Sequence, residues 1–132
     1  MAEIAAPIMR MGQDLLITLQ PDLDDLSVES IEQEITSEVA RILARGVLID
    51  VSGLDVVDSF VARVLARLVR MVRLLGADAA IVGIRPAVAI TLVQLGVSMS
   101  DVTTALNPEQ GMARLREMRA DVSAVGHHDI YS

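Results

Sequence analysis

The chain has no cysteine and no lysine, and among its 132 residues there is one Phe, one Tyr and no Trp. Without cysteine there is no disulfide, no thiol nucleophile and no Cys-ligated zinc, which suits a reducing cytosol. Without lysine there is no Schiff-base chemistry and no P-loop lysine. All eleven basic residues are arginine, and eighteen acidic residues leave a net charge of −7. A phosphate backbone is repelled by that charge, and too few aromatic rings remain to stack on bases, so nucleic acid is not an expected partner.

Long apolar runs are missing as well. The mean hydropathy is high, +0.49, yet the longest uncharged stretch is Pro86–Ser100, which contains Gln94 and two serines. A membrane span needs about 20 consecutive apolar residues. Met1–Met9 contains Glu3 and no basic region ahead of its apolar residues, unlike a signal peptide. The expectation is a soluble, cytoplasmic protein with no membrane partner.

Motifs of conventional catalysis are absent too. There is no Gly-x-Ser-x-Gly elbow, no Walker A and no Gly-x-Gly-x-x-Gly. The two histidines, His127 and His128, are adjacent and near the end of the chain, and no other metal-ligand spacing occurs. No catalytic residue, metal or cofactor is expected.

What is present is aliphatic. Hydrophobic residues make up 52% of the chain, so the core is built from Val, Leu, Ile, Ala and Met. The length fits one domain of about 100–200 residues. The hydrophobic surplus suggests a surface that meets a partner.

Periodicity orders the elements. Ile4–Met9 and Leu15–Gln20 read as a hairpin around Gly12-Gln13-Asp14, and Asp22–Ser27 as an acidic connection. Val28, Ile31, Ile35, Val39 and Ile42 mark one face of a helix, with Gly46 as its expected C-cap. Val47–Val51 reads as a strand buried on both faces. Ser59–Leu75 reads as a second helix, Ala79–Gly83 as a strand, and Pro86–Leu95 as a third helix with Pro86 in its first turn. A short strand is expected at Asp101–Thr104. Asn107-Pro108-Glu109-Gln110 starts a last helix that runs to about Arg119. The order β-β-α-β-α-β-α-β-α implies an α/β fold with a mainly parallel sheet and one antiparallel hairpin. Residues 1–119 read as a single domain and 120–132 as a flexible tail.

In such sheets function gathers beyond the carboxyl ends of the strands. There the strand Val47–Val51 runs into Ser52-Gly53-Leu54-Asp55-Val56-Val57-Asp58-Ser59. Ser59 lies where loop becomes helix, a place where a hydroxyl is accessible and a phosphate meets the positive end of the helix dipole. Either Ser59 or Asp58 could instead serve as the helix cap. Asp55 and Asp58 flank the serine as docking residues or as solvated loop acids. On the following helix Arg63, Arg67, Arg70 and Arg73 fall on one stripe. The stripe is either a solvated face or a ridge complementary to acidic surfaces of the same protein or a relative.

The run from Gly46 through Val51-Ser52-Gly53-Leu54-Asp55 to Asp58-Ser59-Phe60 resembles the signature of the STAS domain family of anti-sigma factor antagonists. Leu74–Asp78, Gly83–Gly96 and Thr104–Gly111 resemble its branch of small stressosome scaffolds (RsbS type), and the likeness covers about residues 4–118. The resemblance implies the STAS (SpoIIAA-like) fold, a mixed, mainly parallel sheet of about five strands with four helices. It implies a non-catalytic scaffold that sequesters a serine/threonine kinase of the RsbT type and releases it when Ser59 is phosphorylated, with an RsbX-type phosphatase to reset it. Asp55, Asp58, Phe60 and Arg63 would form the kinase-docking face. RsbR-type STAS paralogues would join it in a large hetero-oligomer built from dimers. Those paralogues carry a sensory domain and tend to carry a threonine before the first helix. Here that loop, Pro21-Asp22-Leu23-Asp24-Asp25, has none, and 132 residues hold no second domain. Three other readings stay open: a free anti-anti-sigma factor binding an anti-sigma kinase, a small α/β enzyme, and a STAS subunit of a transporter.

Overall fold

The computed structural model describes residues 6–96 and 102–131, with side chains as far as residue 120. A five-stranded sheet has the order β1-β2-β3-β4-β5. Strands β1 (Ile8–Met11) and β2 (Asp14–Thr18) form an antiparallel hairpin, closed by the pair Met11 and Asp14. Gly12 turns it at φ +66°. The first strand therefore lies later than the expected Ile4–Met9, because the tight turn fixes the register; residues 4 and 5 fall outside the described residues.

Strands β3 (Gly46–Asp50), β4 (Asp78–Val82) and β5 (Thr103–Ala105) add in parallel, each to its predecessor. The expected last strand was Asp101–Thr104; Asp101 lies outside the described residues. Helix α1 (Asp25–Ile42) joins β2 to β3, α2 (Ser59–Leu74) joins β3 to β4, and α3 (Pro86–Gln94) joins β4 to β5. Right-handed crossovers in a sheet of sequential order put all three helices on one face. Their apolar residues, among them Ile31, Ile35, Leu65, Leu68 and Val88, share one core with Leu15, Ile17, Val47, Ile49 and Ile81. Alternate strand residues point the other way. Leu48, Ala80 and Val82 meet Leu115 of helix α4 (Pro108–Tyr131), which covers the opposite face. The period of two along each strand thus supplies both layers. Each fully buried aliphatic side chain contributes about 1.5–3 kcal/mol of burial.

Three helix ends differ from the sequence expectations. Helix α1 begins at Asp25, ahead of its apolar stripe, because Asp24 and Ser27 form a capping box. The Ser27 N–H donates to Asp24 Oδ1 at 2.8 Å, and the Asp24 N–H donates to Ser27 Oγ at 2.9 Å. The bonds from Ser27 hold the Asp24 carboxyl below its ordinary 3.8. The same helix ends at Ile42, where Leu43 takes the left-handed conformation (φ 52°, ψ 52°). Gly46 is therefore no cap: it opens β3. A Cβ there would stand 2.7 Å from both Asp14 Oδ1 and Leu115 Cδ1, so the glycine is needed for close packing of β2 and α4. The last helix runs on past Arg119 to Tyr131, so the backbone of 120–131 is helical. Its start is as expected: Asn107 Oδ1 accepts from the Gln110 N–H at 2.9 Å. The side chains of His127 and His128 lie outside those described.

Candidate functional site: the Ser59 loop

The loop from β3 to α2 is pinned from inside by apolar residues. Val51, Leu54 and Val57 are buried, while Ser52, Gly53, Asp55, Val56, Asp58 and Ser59 are exposed. Hydrogen bonds fix the first turn. The Val51 N–H donates to the Val82 carbonyl at 3.0 Å, the Ser52 N–H to Asp50 Oδ1 at 2.9 Å, and the Leu54 N–H to the Val51 carbonyl at 3.0 Å. The loop lies so close to the end of β4 that only glycine fits at 83. Its φ is +79°, and a Cβ would stand 2.8 Å from that of Ser52.

The second half of the loop is set by Asp58. Its backbone is extended (φ −100°, ψ −176°), and its Oδ1 accepts from the Val61 N–H at 2.9 Å. Asp58 is thus the N-cap of α2 and Ser59 is its first residue. This decides between the two capping candidates. One side chain satisfies the helix end, and the neighbouring hydroxyl stays exposed, with no hydrogen-bond partner among the described residues. A group added to Ser59 Oγ would lie at the positive end of the α2 dipole and next to the Asp58 carboxylate.

The remaining candidate residues divide between two directions. Asp55 is exposed and forms an ion pair with Arg85, the N-cap residue of α3. That pair ties the Ser59 loop to the neighbouring crossover. Phe60 is half-buried against the core, and Phe60 and Arg63 line a groove between α1 and α2 rather than the loop itself. Asp55, Asp58 and Ser59 therefore share the loop, and Phe60 and Arg63 continue from it along α2. Sequence reasoning missed Arg85. The available signal was its position just ahead of Pro86, at a crossover that must begin beside the Ser59 loop in a sequentially ordered sheet. It also passed over Val56 and Leu106, apolar residues 80% and 76% exposed at this end of the strands. Among the described residues no helix is long and apolar enough to cross a membrane.

Known proteins place this architecture. The family model of the STAS domain matches residues 6–110. The chain is 32% identical over 117 residues to the RsbT co-antagonist protein RsbRA of Bacillus subtilis, across 88% of this chain and 43% of that protein. It spans about two fifths of the length of the RsbR relatives it matches. Among solved structures it is similar to a serine-to-glutamate variant of RsbS from Moorella thermoacetica. The identity is 35% and the TM-score 0.77, over 87% of this chain and 97% of that one. It is equally similar to a chain of the stressosome, described as a signal integration and transduction hub. There the identity is 36% and the TM-score 0.77, over 86% and 98% of the two chains. The sequential mixed sheet, the capped α2 behind an exposed serine and these matches agree: the chain belongs to the STAS domain family of anti-sigma factor antagonists.

Proposed function

We propose that the chain is a non-catalytic stressosome scaffold that sequesters a switch serine/threonine kinase of the RsbT type and releases it on phosphorylation of Ser59. The observation that carries this reading is the exposed, unbonded hydroxyl of Ser59 at the first residue of α2, left free because Asp58 caps the helix. The RsbR relatives are named as co-antagonists of RsbT, which supplies the class of kinase. The docking face comprises Asp55, Asp58, Phe60 and Arg63, with the exposed Val56 as an apolar contact.

In the kinase complex Ser59 Oγ attacks the γ-phosphorus of ATP. The bond to the leaving ADP breaks, and the hydroxyl proton passes to the kinase's base. The product carries about 1.5–2 extra negative charges at pH 7. They stand beside Asp58 and on the same loop as Asp55, so a kinase surface that accepted the neutral hydroxyl now meets like charge and a larger group. A loss of about 1.4 kcal/mol already weakens binding tenfold. An RsbX-type phosphatase hydrolyses the ester and restores docking. RsbR-type paralogues complete a large cytoplasmic hetero-oligomer, with residues 1–119 as the assembling domain and 120–132 as an appended tail.

The test is kinase capture by the wild type, Ser59→Ala and Ser59→Asp, together with mass spectrometry after incubation with kinase and ATP. Ser59→Ala should bind as the wild type does, and Ser59→Asp at least about tenfold more weakly. Phosphate should appear on Ser59. Equal binding of the two variants, or phosphate on Ser52 or Thr36 in its place, would refute the release mechanism.

A further inference from the structure

Strands β3 and β4 are parallel neighbours, so the helices that follow them start at the same end of the sheet. Ser59 is the first residue of α2, and Arg85 is the N-cap residue of α3. The two crossovers touch there: Gly83, two residues before Arg85, lies against Ser52 at the start of the Ser59 loop. The Arg85 side chain then reaches onto the loop itself. Its Nη1 donates to Oδ1 of Asp55, four residues before Ser59.

That pair is built to be exchanged. Both side chains are mostly exposed, 53% for Arg85 and 75% for Asp55, and one nitrogen makes the contact. Exposed pairs of this kind contribute little. Among the described residues Asp55 is the only partner of Arg85, which leaves further guanidinium donors for a second acceptor. The other arginines near this end are directed elsewhere: Arg67 is paired with Glu32, and Arg63 lines the groove on the α1 side of α2.

A phosphate on Ser59 competes with Asp55 on better terms. It brings about 1.5–2 negative charges and three acceptor oxygens, against one charge on the carboxylate. A guanidinium also meets phosphate with two parallel hydrogen bonds. Asp58, the nearest charged neighbour of Ser59, is acidic and offers no compensation. On the reading of Ser59 as the modified residue, we propose that Arg85 receives its phosphate and gives up Asp55 to do so. The exchange frees the Asp55 carboxylate. The added negative charge is then spread along the docking loop instead of being confined to Ser59, and the loop is tied to α3 through its phosphate.

The full chain is made with phosphoserine installed at position 59, so that no kinase is needed, and the phosphate is titrated by phosphorus NMR. Amide spectra show that each variant is folded. The second phosphate pKa, ordinarily about 6, should be higher in Arg85→Gln than in the wild type by about half a unit or more, because a nearby cation favours the dianion. Arg63→Gln should shift it less. A titration of Arg85→Gln that matches the wild type, or a larger shift in Arg63→Gln, overturns the proposal. The shift caused by Arg85→Gln should be the same in an Asp55→Asn background, since Asp55 has already released the arginine. A larger shift there means that Asp55 still holds Arg85, and the exchange is refuted. Absence of phosphate on Ser59 after incubation with kinase and ATP overturns the kinase reading instead, and the titration stands or falls without it.

Discussion

At Asp58 the backbone consumes the side chain; at Ser59 it does not. That difference of one position turns a helix start into an available hydroxyl, and it rests on the 2.9 Å bond from the Val61 N–H. Replacing Asp58 by Ala removes the cap and should lower stability by about 1 kcal/mol, within the usual range for lost N-caps. Ser59→Ala should change stability far less, since no hydrogen bond of the Ser59 hydroxyl is lost. Urea unfolding of the two variants checks this. A larger loss at Ser59 than at Asp58 would mean that the serine, not the aspartate, holds the helix. The sequence could not separate the two, because Asp and Ser are both good caps and only the extended backbone of Asp58 assigns the role. Gly46 taught the opposite lesson. A glycine after a helical stripe reads as a cap, yet here it clears space for Asp14 and Leu115, neighbours that are far away in the chain.

Helix α4 shows what an element gains from such a neighbour. Asp14 is only 2% exposed at the start of β2, and Arg119 grips it with two hydrogen bonds, of 2.7 and 3.3 Å. Together with Leu115 this pair fastens the last helix across the face that α1, α2 and α3 leave open. Asp14 raises the pKa of Arg119 through its hydrogen bond, against the opposing effect of burial. Removing one partner of a buried pair strands the other's charge. Arg119→Met should therefore lower stability by about 3 kcal/mol, the low end for such losses because Arg119 retains some solvent contact. Asp14→Leu combined with Arg119→Met should recover much of that loss, because no charge is then left buried. If the double variant is as unstable as Arg119→Met, the arginine acts through packing and not through charge. The elements themselves were legible because apolar stripes of period 3.6 alternate along the chain with short continuous apolar runs. Their ends were not, since capping boxes, a left-handed Leu43 and the reach of α4 depend on backbone angles and distant contacts.

For the whole molecule, the mainly parallel sheet follows from alternating strands and helices, and the aliphatic core follows from the scarcity of aromatic residues; the sequential strand order does not, since other orders obey the same alternation. Composition also carries a surplus that the core does not absorb. Large apolar residues remain exposed at both ends of the strands: Leu26, Val56 and Leu106 on the Ser59 side, Leu43 and Leu74 on the other. A scaffold and a free antagonist of the SpoIIAA type would share this fold and this serine, so neither can decide between them. Size can. Alone, the chain should elute at small size; mixed with an RsbR-type paralogue, it should move into a particle many times larger and carry the kinase with it. Adding ATP should then shift the kinase, but not the chain, back to small size, because the new charge sits on the Ser59 loop proposed to dock the kinase. A chain that stays small beside its paralogue, while still binding a kinase through Ser59, is a free antagonist, and the scaffold reading falls.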